Sequence, residues 1–214
     1  METKIEIKPR LEVLKEEQIP HLLFPGEVGA VLELIVRDKD GKVTERQEMK
    51  SESFVRQFLE QLWMLANPIN ETLSFFITDN GGVVRQIGST YQILSATGPI
   101  NNITYGVVVG TDIPHAAVTI DDYQLVSQIV NATMNHSAVT FGAPASDATT
   151  SQFTITRNFA NVSGGAVLVA EIGLYVRGFR RNTYYYFMAI RDIVAINVPD
   201  GQTLTVNYRI QAVV

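Results

Sequence analysis

The 214-residue chain contains no cysteine, and this absence removes several kinds of chemistry at once. A disulfide framework, a thiol nucleophile and a zinc site with cysteine ligands are all excluded. The cellular compartment is not fixed by this absence. Stability must therefore come from the burial of apolar surface and from hydrogen bonds.

The chain is also poor in charge and has no long apolar run. Only 18% of the residues are charged, and the net charge of -5 is spread along the chain, so no basic stripe is present to neutralise phosphates. No apolar run approaches the roughly 18 residues that a membrane-spanning helix needs, and the charged N-terminus lacks the apolar stretch of a signal peptide. We therefore expect synthesis in the cytoplasm, with no direct nucleic-acid partner and no membrane partner.

Motifs for catalysis are missing as well. The chain has neither the GxGxxG nor the GxxxxGK[ST] phosphate loop, and it has no GxSxG nucleophile turn. Its three histidines stand far apart, so we expect no catalytic residue, no bound metal and no cofactor. One acidic stretch has side chains that in principle coordinate a cation, although a solvated loop leading into a strand explains the same letters. Its members are Asp112, His115, Asp121 and Asp122.

The pattern of apolar residues indicates a mainly β chain. The segments "SQFTITRNFANVSGG" and "VPDGQTLTVNYRIQAVV" alternate apolar and polar residues, and Asp-Gly or Gly-Gly pairs mark the turns. Many short strands at regular spacing are typical of a sandwich or a barrel. We predict an antiparallel β-sandwich of jelly-roll-like kind, formed as a single domain by residues 28–214.

Two segments depart from this alternation. In "SESFVRQFLEQLWMLANP", Phe54, Phe58 and Leu62 recur every four residues, which predicts an amphipathic helix at about residues 52–66. We expect its apolar face to cover the open side of a sheet, with partner binding as the alternative. Residues 1–27 carry three prolines and isolated apolar residues, which predicts an extended N-terminal arm. This arm is either a first strand with a loose linker or a contact laid across a neighbouring subunit.

An acid and a base interrupt an otherwise apolar hairpin, "AEIGLYVRGFRRNTYYYFMAIRDI" (residues 170–193). If the two strands pair with residue numbers that sum to 362, Glu171 lies opposite Arg191 and aromatic residues lie opposite one another. We predict a mostly buried structural pair, with a catalytic acid tuned by Arg191 as the alternative. Apolar bulk in a turn is typical of a partner contact, although packing on the same sheet explains it equally well. The candidate contact residues are Phe179, Tyr184 and Tyr185.

Several phrases of the chain resemble structural proteins of tailed bacteriophages. Over roughly residues 103–210, the order of these phrases is similar to that of β-rich virion proteins, among them tail-collar and fibre-type domains. "RDKDGKV" followed by "SESFVRQFLEQLW" resembles the N-terminal part of such proteins, less specifically. The phrases are "VVVGT", "VTIDDYQLVSQI", "FTITRNFANVSGG", "AEIGLYV", "AIRDI" and "VPDGQTLTVNYRI".

The resemblance implies a noncatalytic building block of a virion, made in the host cytoplasm. A capsid protein, a decoration protein and a tail or connector component all fit, whereas the long shaft of a free-standing fibre is missing. The implied partners are copies of the chain itself and other virion proteins. A first alternative is a binding module whose end loops recognise a host glycan, with Tyr184 to Tyr186 stacking on sugar rings. An enzyme is the second alternative, for which the sequence offers no nucleophile, base or metal constellation.

Overall fold

The alternating residues of the long strands fall on two facing antiparallel sheets. A computed structural model describes residues 22–51, 54–67, 75–87, 94–111, 117–180 and 182–214. Within these ranges the chain forms twelve strands and one helix. The strands are β1 (Val28–Arg37), β2 (Val43–Ser51), β3 (Phe75–Thr78), β4 (Val84–Ile87), β5 (Gly106–Gly110), β6 (Met134–His136), β7 (Thr140–Phe141), β8 (Ala145–Ser146), β9 (Thr150–Asn161), β10 (Val167–Arg180), β11 (Thr183–Val198) and β12 (Thr203–Val213), and the helix is α1 (Arg56–Ala66).

The first sheet has seven strands and the second has three. The first has the order β2-β1-β12-β9-β6, and the short strands β7 and β8 also pair with β9. The second has the order β11-β10-β5, and β3 and β4 form a separate hairpin. Neighbouring strands are antiparallel in each case. The predicted mainly β, antiparallel sandwich with one helix is confirmed.

The two sheets share one hydrophobic core. Alternate residues of a strand point to the same face, so each sheet turns one apolar set toward the other. Leu32 on β1 and Val206 on β12 come from the first sheet, and Val107 on β5 and Ile172 on β10 come from the second. All four are fully buried. This shared core fixes the inward face of each sheet.

The outer face of the first sheet is polar, and its side chains pair with one another. Glu33 on β1 forms an ion pair with Arg46 on β2 and accepts a hydrogen bond from Asn207 on β12. One row further along, Arg209 pairs with Glu48. These pairs form a row of polar side chains across β2, β1 and β12.

Only the last part of the predicted N-terminal arm lies within the described ranges. Residues 1–21 fall outside them. Leu23 is buried against Val31 and Val213 on the outer side of the first sheet. The Gly26 amide donates to the Val213 carbonyl at 2.7 Å. The arm therefore joins the sheet before β1 begins.

Helix α1 begins at Arg56 because the two residues before it are held as extended chain. Phe54 forms an isolated β-bridge with Ile190, and the Val55 amide donates to the carbonyl of Ala189 at 3.1 Å. Val55 itself has extended angles, with φ -88° and ψ 168°. Residues 52 and 53, where the sequence predicted the helix to start, lie outside the described ranges.

The orientation of α1 differs from the sequence expectation. Phe58 packs on the shared core, as predicted, but the residues of α1 that are buried are Gln57, Gln61 and Met64. The helix therefore packs on the core of the sandwich, as expected, but only part of its predicted apolar face is buried. The anchored residues before Arg56 fix the rotation of the helix, and most of its large apolar side chains face outward. These are Leu59, Leu62, Trp63 and Leu65, which are 57%, 45%, 48% and 46% exposed.

A buried arginine organises the irregular chain beside β9. Arg157 lies on the inward face of β9 and is fully buried. Burial lowers the pKa of Arg157 to about 10, so it remains cationic at neutral pH. Its guanidinium donates hydrogen bonds to five backbone carbonyls, most of them in irregular chain. These carbonyls belong to Pro99, Asn102, Tyr105, Val107 and Ser137.

His136 lies beside this cation and is 1% exposed. Its Nδ1 is 2.8 Å from the carbonyl oxygen of Met134, and its ring meets Phe159 edge to face at 4.9 Å. Burial, and then the charge of Arg157, lowers the pKa of His136 to about 4. The folded protein therefore holds this imidazole neutral.

We predict that His136 makes the fold weaker in acid. Its pKa is about 4 in the folded chain and about 6.5 in the unfolded chain, so the unfolded chain takes up the proton first as the pH falls. Its contribution is complete above about pH 6.5 and is lost between about pH 6.5 and 4. We expect the free energy of unfolding, measured with urea, to fall between about pH 7.5 and 4.5. The fall should be about 2 to 3 kcal/mol larger for the wild type than for His136→Gln. Parallel pH profiles of the two proteins would contradict this prediction.

Candidate functional site

The candidate site centres on Glu171, which β10 presents on the outer face of the second sheet. Its side chain is 0% exposed. Oε1 accepts a hydrogen bond from the Ser127 amide at 2.9 Å, and Oε2 accepts one from the Val126 amide at 3.2 Å. Arg191 donates to Oε2 from Nε at 3.2 Å and from Nη2 at 3.0 Å. Both carboxylate oxygens thus have donors inside the protein.

Arg191 joins two carboxylates. Its Nη1 donates to Oδ2 of Asp122 at 2.7 Å, while Asp122 also accepts from the hydroxyl and the amide of Thr119. Burial opposes charge on both residues, but the hydrogen bonds outweigh it. They lower the pKa of Asp122, to which Arg191 and Thr119 donate, and they raise the pKa of Arg191, which donates to Asp122 and Glu171. The folded protein therefore keeps both groups ionised.

The structure brings Glu171 and Arg191 together, but the predicted register is wrong. Arg191 lies opposite Gly173, so that residue numbers sum to 364, and Glu171 lies opposite Ile193. The register shifts on either side of this region, between Val169 and Glu171 and again after Leu174. β-Bulges of this kind insert a residue that the alternation of apolar residues does not reveal. The ion pair therefore runs diagonally across the two strands.

The amides that donate to Glu171 belong to residues 117–129, a segment that we name the strap. The strap lies over the outer face of the second sheet, where Leu125 is buried and its amide donates to the Tyr175 hydroxyl at 2.6 Å. Burial raises the pKa of Tyr175 above its ordinary value, so the hydroxyl keeps its proton. Toward its end, the Ile129 amide of the strap donates to the Val109 carbonyl of β5 at 2.8 Å.

Two glycines make room for the strap. A Cβ on Gly110 would lie 2.5 Å from Oε1 of Glu171 and 2.8 Å from the carbonyl oxygen of Ser127. A Cβ on Gly173 would lie 3.1 Å from the side chain of Leu125. The strap therefore contacts alternate residues of the phrase "EIGLY", which are Glu171, Gly173 and Tyr175. The acid binds its amides, the glycine leaves space, and the tyrosine accepts a hydrogen bond.

A second buried acid lies on the inner face of β11 and was missed by the sequence analysis. Asp192 is 3% exposed and accepts hydrogen bonds from the Ser51 hydroxyl at 2.9 Å and the Tyr208 hydroxyl at 2.8 Å. Burial, and then the charge of Asp192, raises the pKa of Tyr208 well above its ordinary value. The available signal was the adjacency of Arg191 and Asp192, because neighbouring strand residues point to opposite faces.

The aromatic residues at the hairpin tip do not share one surface. Phe179 and Tyr184 form a tilted pair with ring centroids 5.0 Å apart, and the Arg177 guanidinium lies 4.2 Å from the Tyr184 ring. Tyr185 packs instead on the shared core, with the Arg85 guanidinium 5.0 Å from its ring. The predicted contact residues are therefore split between the two faces of the hairpin.

The acidic stretch considered for a cation is only partly described. Asp112 and His115 lie outside the described ranges. Asp121 forms an ion pair with Arg56, and Asp122 belongs to the Arg191 network. Within the ranges that the structure describes, no group of three or more histidine, aspartate and glutamate side chains is arranged to hold a metal.

The outward residues of α1 form the remaining candidate. We name Leu59, Leu62, Trp63 and Leu65 the apolar helix face. The Trp63 ring contacts Phe75 of β3, with centroids 5.2 Å apart, which steadies one margin of the face. Contiguous apolar surface of this kind is typical of an interaction site.

Comparisons with protein-family models, with curated proteins and with solved structures found no match to this chain. In the part of the chain that the structure describes, no helix has both the length and the apolar character needed to cross a membrane. Any functional assignment therefore depends on the residues themselves.

We predict that Glu171→Ala destabilises the fold strongly. The change leaves Arg191 buried beside only one of its two acids and leaves the Val126 and Ser127 amides without their acceptor. The free energy of unfolding should fall by about 3 to 5 kcal/mol. Lys50→Ala, which breaks the ion pair with Glu27, should cost less than about 1 kcal/mol, because these two side chains are 32% and 34% exposed. Equal costs for the two variants, measured by urea unfolding, would show that Glu171 does not hold the strap.

A second prediction concerns the space under the strap. Gly110→Ala places a methyl group against the Ser127 carbonyl, which belongs to the backbone and cannot rotate away. The strap must then shift, and the expected cost is about 1 to 3 kcal/mol. Gly165→Ala is the matched control, because a Cβ there meets nothing within 4 Å, and it should change stability by less than about 1 kcal/mol. Thermal unfolding that ranks the two variants equally would argue against close packing of the strap.

Proposed function

We propose that this chain is a noncatalytic structural protein of a tailed-bacteriophage virion. Its copies assemble with one another and with other virion proteins as a capsid, decoration, tail or connector component. The observation that carries the proposal is the apolar helix face. An 11-residue helix that buries two glutamines and exposes three leucines and a tryptophan is arranged for a partner rather than for water.

The size of the apolar helix face indicates what kind of association it supports. Four large side chains, each about half exposed, present on the order of 350 Å² of apolar surface. Two copies that bury this surface against each other remove on the order of 700 Å² from water, whereas a stable specific interface buries about 1,200 to 2,000 Å². A single contact of this size is therefore weak, as suits a subunit that makes several contacts in a larger assembly.

The phrases that resemble phage virion proteins are parts of one structural unit. "VTIDDYQLVSQI" lies in the strap, and "AEIGLYV" and "AIRDI" belong to the strands that hold it. The resemblance therefore falls on residues that build the framework of the domain.

The partners of the buried acids support a noncatalytic role. A general acid or base needs an oxygen that a substrate can reach. Glu171 and Asp192 are both buried and are engaged by amides, hydroxyls or an arginine. The glycan-binding alternative gains less support, because Tyr185 packs on the core while Tyr186 stacks on Tyr105 in the cluster beneath the strap.

The proposal predicts that the purified protein self-associates as its concentration rises. Sedimentation velocity over a wide concentration range should show larger species at high concentration that dissociate on dilution, since each contact is weak. Electron microscopy of concentrated samples should show rings or shells. A monodisperse monomer at the highest concentration that remains soluble would contradict the proposed function.

A further inference from the structure

We propose that the apolar helix face packs antiparallel on the same face of a second copy, about a two-fold axis close to Leu62. This inference rests on the proposed function, because it names the partner that covers α1. It goes further by assigning the contact to one surface and one geometry.

The position of Leu62 sets the geometry of the contact. Helix α1 spans Arg56–Ala66, so Leu62 lies near the middle of its length. Successive residues turn by about 100°, which also places Leu62 near the middle of the exposed arc, with Leu59 and Leu65 one turn to either side. An antiparallel pair centred on Leu62 brings Leu59 of one copy against Leu65 of the other. Such a contact is closed, because both copies use the same surface and no further copy can join it there.

The charges on α1 favour a second copy as the occupant. The charged residues of the helix, Arg56 and Glu60, both lie at one margin of the exposed arc. Arg56 forms an ion pair with Asp121 of its own chain, and burial raises the pKa of Glu60 above its ordinary value. The centre of the arc is uncharged, so two copies meet apolar surface with apolar surface and bring no like charges together. A strongly charged partner would find no complement there.

The ends of α1 favour the antiparallel direction. The first turn contains no acidic side chain, the last turn contains no basic one, and the N-cap residue Val55 makes no side-chain capping hydrogen bond. The partial positive charge at the start of the helix and the partial negative charge at its end are therefore not balanced by acidic or basic side chains in its terminal turns. Antiparallel packing sets the start of each helix beside the end of the other. Parallel packing would bring like ends together.

Leu62→Cys tests the geometry directly, because the chain has no cysteine of its own. Residues at a two-fold axis approach their own copies, and a disulfide requires Cα atoms within about 7 Å. Mild oxidation of Leu62→Cys at a concentration where the wild type self-associates should give a disulfide-linked dimer. Val162→Cys is the matched control, since Val162 is 48% exposed and lies in the turn after β9, and it should remain largely uncrosslinked.

A second experiment uses Leu62→Glu, which places a negative charge at the proposed two-fold axis. Self-association should weaken by more than about tenfold, while circular dichroism and the Tm stay near those of the wild type, because the side chain is already 45% exposed. The same change at Val162 should leave self-association unaltered.

The outcomes separate this inference from the proposed function. If the wild type self-associates but Leu62→Cys does not crosslink above the Val162→Cys control, the helix pairing is wrong and the proposed function stands. Self-association of Leu62→Glu at the wild-type level has the same meaning. If the wild type remains monomeric at every concentration, both proposals fail. Preferential crosslinking of Leu62→Cys, together with weakened association of Leu62→Glu, supports both.

Discussion

The fold depends on one constraint, which is that the buried carboxylate of Glu171 must be satisfied. An ionised acid removed from water is tolerated only where hydrogen-bond donors surround it. Arg191 supplies part of that requirement from the neighbouring strand, and the amides of Val126 and Ser127 supply the rest. Because these amides belong to the strap, the hydrogen bonding of Glu171 and the course of residues 117–129 depend on each other. Gly110 and Gly173 then provide the space that this arrangement needs.

The strap in turn links this buried charge to the surface of the molecule. Its Ile120 carbonyl accepts a hydrogen bond from the Arg56 amide at 2.9 Å, and Asp121 pairs with the Arg56 side chain. These contacts hold the first residue of α1, while Val55 is tied to β11 just before it. The rotation of the helix is thus set from its start, and its leucines and tryptophan are left outside. The strap therefore connects the buried carboxylate of Glu171 to the apolar helix face.

The general architecture was predictable because it depends on periodicity. Alternating residues in β9 and β12 gave the correct inward faces, and the proximity of Glu171 to Arg191 followed from an acid and a base placed in opposing apolar strands. Their register was not predictable, because the bulges near Glu171 and after Leu174 leave no trace in the alternation. Arg157 and Asp192 were missed for a related reason. Their partners are backbone carbonyls, or hydroxyls distant in sequence, and no spacing rule connects them.

The orientation of α1 shows where local pattern is insufficient. Its periodicity identified an apolar face correctly, but periodicity does not say whether that face meets the protein's own core or another molecule. The decision was made by contacts outside the helix, at Val55 and Ile120. Phe58 faces the core, while the glutamines rather than the leucines fill the remaining buried positions. An apolar stripe on a helix therefore predicts a surface suited to burial, but it does not indicate whether the protein's own core or a partner buries it.

Hydrogen exchange followed residue by residue at several protein concentrations tests the account most directly. The amides of Val126 and Ser127 should be strongly protected at every concentration, because Glu171 binds them within a single copy. If the apolar helix face packs on a second copy, as we propose, the amides of α1 should gain protection as the concentration rises. Rapid exchange at Val126 and Ser127 would contradict the binding of the strap by Glu171, and protection of α1 that does not depend on concentration would contradict the packing of the apolar helix face on a second copy.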